Sequence, residues 1–149
     1  QVSGLTYRMM KPNDPGNIQK LSDGHSPAYV LTEPETFLSK VTIQGEDTVQ
    51  VFNYAALALA TSIEMNGLTV KDVYTTDTED SSSNGALTLT CEKNGQAISV
   101  RTAPLHDADG KLVTADVFSG KTIDVKGLID YFDGNYQIKV FNINDITIH

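Results

Sequence analysis

The stretch Lys121-Thr122-Ile123-Asp124-Val125-Lys126-Gly127-Leu128-Ile129-Asp130-Tyr131-Phe132-Asp133-Gly134-Asn135-Tyr136-Gln137-Ile138 decides how this chain folds. Ile123, Val125, Ile129 and Tyr131 recur at period two, and Thr122, Asp124, Lys126 and Asp130 fill alternate positions. Such alternation marks a strand with one buried and one wet face. Gly127 falls on the apolar side, where a barrel strand bends. Asp133-Gly134 is a type I′ turn signal, because that turn needs φ > 0 at both central residues. The chain then returns from Asn135 to Phe141 with Tyr136, Ile138 and Val140 aligned. Asp145 to Ile148 reads as a short closing edge.

The same pattern recurs upstream. Ala86 to Glu92 alternates with Leu87, Leu89 and Cys91 on one face, and Ala97 to Thr102 returns with Ile98 and Val100 aligned. Asn94-Gly95 between them is a second hairpin turn. Leu68 to Thr76 is a further strand, whose apolar parity changes between Val70 and Val73 as a bulge or sharp bend requires. Asp77 to Gly85 is a polar, acidic loop, and residues 103–120 connect through one short helical or irregular turn. Thr36 to Ile43 and Thr48 to Tyr54 read as a hairpin around Gln44-Gly45-Glu46-Asp47. Ala55 to Met65 is the one segment of good helix formers, with Asn66-Gly67 as its stop; a strand continuing from Val49 is the competing reading. Four of the five prolines (Pro12, Pro15, Pro27, Pro34) precede residue 35. Residues 1–35 are therefore expected as an irregular arm, with 36–65 as an added hairpin plus short helix or strand.

Residues 66–149 thus supply five strands: one long and bent, a hairpin, a connector and a second hairpin. That order predicts a mainly β protein built on a five-stranded Greek-key barrel of the OB type. The run Gly120 to Ile138, ending in Asp145-Ile146, resembles the last two strands of OB-fold modules in bacterial secreted nucleases and surface lipoproteins. The shared form is a Gly, an alternating strand, a second Gly, an aromatic, a Gly turn and Tyr-Gln-Ile. The likeness is closest over about the last 30 residues and looser over 66–149. It implies an accessory, extracytoplasmic, bacterial module, secreted or on the cell surface. It brings no catalytic residue, since in such proteins the chemistry sits in other domains.

Composition narrows the function. The chain has 149 residues, of which 11 are Lys or Arg and 19 are Asp or Glu, for a net charge of −8. Residues 66–149 alone hold seven basic and twelve acidic side chains, or −5. Negative charge repels phosphate backbones and anionic membranes. One cysteine excludes an internal disulfide and the zinc sites built from two or more cysteines. No apolar run reaches the ~20 residues of a membrane-spanning helix. The chain opens on Gln1 without an initiator Met or a visible leader, so a processed protein or a trimmed chain is expected.

Candidate chemistry is sparse. The three histidines (His25, His106, His149) lack metal-site spacing, and no metal or cofactor is expected. His106 beside Asp107 and Asp109 suggests a carboxylate-oriented base, but no nucleophile motif accompanies it, so an exposed loop histidine is the simpler reading. Asp107-Ala108-Asp109-Gly110 resembles the start of a calcium loop, but Lys111-Leu112 follow and a turn fits better. Asp77, Glu79 and Asp80 form a cation-gathering set or, more simply, a solvated loop. Cys91 belongs to the apolar face and reads as a buried, inert thiol.

An OB barrel binds ligands on the face of its second and third strands, between the loops joining strands one and two and strands four and five. Tyr74, Arg101, Tyr131 and Tyr136 are the expected ligand-binding residues, against the alternative that the rings only pack. The expected function is non-catalytic binding or scaffolding, with a glycan or another protein as partner. Tyrosine rings among acidic hydrogen-bond acceptors suit a neutral glycan. Single-stranded nucleic acid is the alternative, disfavoured by charge. An enzyme built on His106, the loop acids and a metal is a third reading.

Overall fold

The computed structural model describes residues 21–26 and 28–149. A closed barrel is formed by β4 (Ser62–Thr75), β5 (Leu87–Lys93), β6 (Gln96–Thr102), β7 (Thr122–Phe132) and β8 (Asn135–Val140). Neighbours run β4-β5-β6-β8-β7, and β7 pairs back onto β4 to seal the cylinder. The β6–β8 ladder is parallel, whereas β4–β5, β5–β6, β7–β8 and β4–β7 are antiparallel. This is the expected OB-like Greek key. A sealed cylinder leaves none of its strands with a fully open edge.

One inward row from each strand fills the interior. Ile63, Met65, Leu68, Leu89, Val100, Ile123, Val125, Ile138 and Val140 are all fully buried. The connector between β6 and β7 adds Leu105, Val113 and Phe118, the last from just after a 3-10 turn at Ala115–Val117. Full burial of a Phe side chain stabilises by about 2–3 kcal/mol, so this connector closes the core rather than merely spanning it. A short β9 (Ile146–Ile148) pairs with the outer part of β7, as the edge reading anticipates.

β4 is long because it serves two partners. Ser62–Thr69 pairs with β7 and Thr69–Thr75 with β5, with register shifts between Met65 and Leu68 and between Val70 and Asp72. The second shift is the parity change read between Val70 and Val73. The first falls at Asn66-Gly67, the expected helix stop. The helix expected over 55–65 is confined to α2 (Tyr54–Leu57), and the chain is already strand from Ser62. Its apolar residues are strongly helix-forming in isolation, but pairing with β7 buries Ile63 and Met65 and overrides that preference.

Two further expectations are corrected. The strand expected from Thr36 begins only at β2 (Lys40–Gln44); Pro34–Phe37 is a helical turn, α1, with Pro34 in its first positions. Proline suits a helix start because its missing N–H has no intrahelical partner there. α1 buries Phe37 in the core, and Lys93–Glu33 and Asn94–Glu35 contacts fasten its region to the β5–β6 turn. The arm expected to be irregular through residue 35 contains β1 (Val30–Leu31), which pairs in parallel with Ile63–Glu64 of β4. Both its side chains are exposed, so main-chain bonding alone sets it and no apolar pattern announces it. The rest of the expected arm, residues 1–20 and Pro27, lies outside the described residues. β2 and β3 (Val49–Asn53) form the separate hairpin.

Candidate functional site

Outward-facing side chains on the barrel form a continuous row. Register pairs Tyr74 of β4 with Thr88 of β5, Thr88 with Arg101 of β6, and Arg101 with Lys139 of β8. Thr90 and Ser99 pair in the neighbouring row, and Gln137 pairs with Asp130 of β7. These positions point outward because Leu89, Val100, Ile138 and Val140 between them are committed to the core.

The row forms part of the lining of a groove of about 960 Å³, the larger of the two cavities that stand out among the described residues. Thr76 and Ser83 come from the β4–β5 loop, Phe132 to Asn135 from the β7–β8 turn, and Phe37, Leu38 and Asn53 from the elements before the barrel. The groove therefore lies on the face expected from the barrel topology. Its lining is mostly hydroxyl, amide and aromatic. Tyr74 is 61% exposed and Phe132 is 70% exposed. Large rings left in water beside a groove offer flat, apolar contact surfaces.

Arg101 is the anchored cation of this face. One terminal nitrogen donates to Thr88 Oγ1 at 2.9 Å and the other to Thr76 Oγ1 at 2.8 Å. Two neutral hydroxyls thus fix the guanidinium without neutralising it. Lys139 is adjacent across the parallel ladder, with Nζ 5.7 Å from the centroid of the Phe141 ring. Among the described residues, the Lys and Arg salt bridges join Lys71 to Glu92, Lys93 to Glu33 and Lys126 to Glu64, and none involves Arg101 or Lys139. Asp130 and Asp133 also line the groove. Asp130 Oδ2 accepts from Gln137 Nε2 at 2.8 Å.

Three of the four expected binding residues, Tyr74, Arg101 and Tyr136, come together in this lining. Tyr131 does not line it. It sits at the barrel end, half exposed, with its ring 5.0 Å from that of Tyr136 and tilted by 51°. Lys139 and Gln137 also line it, beyond the expected set. Lys139 stands between Ile138 and Val140, so parity shows that it points outward. Its position beside Arg101 depends on the β6–β8 closure, which no local pattern reveals.

The other candidates lie elsewhere. His106 is exposed in an isolated bridge with Leu112. Asp107 Oδ1 accepts from the N–H groups of Asp109 and Lys111, at 3.0 and 2.9 Å, which makes Asp107–Lys111 a side-chain-closed turn. No group of three or more metal-ligating side chains occurs among the described residues. Among the described residues, no helix is long and apolar enough to cross a membrane. Cys91 is buried on the inward face of β5, and burial pushes its thiol up to about 12.

No protein-family model matches the chain, and no curated protein matches it.

Proposed function

We propose that this chain is a non-catalytic binding module that takes an oligosaccharide in the groove across β5, β6 and β8. The observation that carries the reading is the lining itself: exposed rings at Tyr74 and Phe132 flank hydroxyls and amides at Thr88, Thr90, Ser99, Asn135 and Gln137. Sugars present apolar faces edged by hydroxyls, and such a surface meets both. Of the two carboxylates in the lining, Asp130 and Asp133, Asp130 is engaged by the Gln137 side-chain amide. Net charge of −8 argues against a phosphate-backbone ligand. The resemblance of the Gly120–Ile138 segment to modules of secreted and surface proteins supports a role outside the bacterial cytoplasm.

The test is an amide-shift titration of the labelled chain with neutral and acidic oligosaccharides, alongside a labelled single-stranded DNA. Millimolar saccharide is expected to move amides of Tyr74, Thr88, Ser99 and Gln137 without being consumed. Turnover of a saccharide, or shifts confined to residues outside the groove, would overturn the reading. Firm retention of the DNA at physiological salt would favour the nucleic-acid alternative.

A further inference from the structure

We infer that the groove selects a carboxylate-bearing sugar, a uronate unit within an oligosaccharide, through Arg101 and Lys139. The inference deepens the saccharide reading above and rests on it.

Its basis is an arrangement that the barrel does not need. Arg101 and Lys139 occupy directly opposed positions on the β6–β8 ladder. Like charges so placed repel, and a chain with 19 acidic residues could readily have put one at either position. None of the described carboxylates forms an ion pair with either cation. The nearest acid in register, Asp130, stands opposite Gln137 and is hydrogen-bonded to it. Local conflicts of this kind concentrate at functional sites, where a ligand relieves them.

The fixed geometry of Arg101 points the same way. The two threonine hydroxyls use two of its five N–H groups, leaving three donors on an ordered, fully charged fork. A planar carboxylate matches that fork with two parallel hydrogen bonds. Lys139, opposite Arg101 on the ladder, adds a second cation to the lining, with its Nζ near the Phe141 ring. Hydroxyl and amide side chains on either side remain for the uncharged parts of the ligand. Two cations amid Asp130 and Asp133 make an isolated positive spot, not a track. Such a spot receives one anionic group and disfavours a closely spaced polyanion.

The test compares oligosaccharides that carry a single uronate unit (galacturonate or glucuronate) among neutral sugars with fully neutral oligosaccharides of matched linkage, by calorimetry and amide shifts on the full chain. The best uronate ligand is expected to bind at least about tenfold tighter than its neutral counterpart, the worth of one charge-assisted hydrogen bond. Lys139→Gln is expected to remove most of that advantage without altering neutral-sugar binding, and added salt to weaken only the uronate. Arg101→Gln should do the same. Should its loss of the threonine contacts disturb folding, Arg101→Lys serves instead, keeping charge but losing the fork and part of the affinity. Equal affinity for uronate and neutral ligands in the groove overturns the inference but leaves the saccharide reading standing. Uronate selectivity unchanged in Lys139→Gln and Arg101→Lys also overturns it. If no saccharide of either kind moves a groove amide, both fall.

Discussion

A β-carbon built on Gly127 would fall 2.5 Å from the main-chain carbonyl oxygen of Lys139 and 2.8 Å from Cγ2 of Ile138. Gly127 pairs with Ile63 of β4, while the next residue, Leu128, pairs with Lys139 of β8. It therefore sits where β7 passes from one partner to the other, and β8 presses against it there. The missing side chain is what lets the cylinder close. Gly127→Ala must push the β8 backbone outward, and that overpacking is expected to cost about 2–3 kcal/mol. Urea melts check it, with an unchanged midpoint as the contrary result. β8 carries Lys139 and Gln137, so the variant should also disturb the groove amides.

Gly134 tests a different property of glycine. With Asp133 at φ 48° and Gly134 at φ 85°, the β7–β8 turn is of the I′ kind. A β-carbon at Gly134 meets nothing within 4 Å, so any cost there is conformational, not steric crowding. Gly134→Val is expected to destabilise by about 1 kcal/mol or more, because a β-branched residue resists φ > 0. Gly134→Asn should lose less, since Asn tolerates the left-handed region. Equal thermal melting of all three proteins would mean that the turn has changed type.

These two glycines show what the sequence makes legible. Turn chemistry and period-two alternation are local, so both hairpins of the barrel, the bulge near Val70 and the inward rows could be read directly. The run Ser62–Met65 could not. The Ala/Leu run just before it favours helix, and pairing with the distant β7, about 60 residues away along the chain, is what makes it strand. β1 escaped for the complementary reason: its pairing uses main-chain groups and leaves Val30 and Leu31 exposed. The groove was half legible. Parity turned Arg101 outward and topology named the face, but the neighbour of Arg101 is fixed by a parallel ladder between strands separated by a long connector. Parity puts Tyr131 on the apolar row, but the side chain is 52% exposed. The barrel ends before reaching it, which leaves it half exposed against Tyr136.

Asp124 joins the β4 bulge to the end of the chain. Its Oδ1 accepts from the Gly67 N–H at 2.7 Å, and its Oδ2 lies 2.8 Å from His149 Nε2. Burial works to raise this carboxyl, but the Gly67 hydrogen bond and the His149 contact outweigh it and hold it below its ordinary 3.8. A depressed carboxylate contributes stability above its unfolded value and loses it as pH falls through the folded one. Acid unfolding below about pH 4 should therefore depend partly on Asp124. His149→Ala is expected to raise the Asp124 titration seen by carbonyl NMR. Its effect on stability at neutral pH should stay below about 1 kcal/mol, since the pair is solvent-screened. A titration unmoved by the substitution would show that Gly67 alone holds the carboxylate.

Cys91 makes the opposite linkage at the alkaline end. The side chain is 1% exposed on the inward row between β4 and β6, where it pairs in register with Val70 and Ile98. Burial raises the thiol from 9.0 to about 12. Above pH 9 the unfolded chain releases this proton and the folded chain keeps it, so the unfolded state gains. Stability is expected to fall by up to about 1.4 kcal/mol per pH unit between those two values from this group alone. Cys91→Val removes the group while keeping an apolar side chain of similar size. Its unfolding free energy should decline less steeply over the same range, and parallel slopes for the two proteins would count against a buried neutral thiol. The native protein should also resist alkylation at pH 8 and react stoichiometrically once urea has opened the barrel, because only the exposed thiolate is nucleophilic.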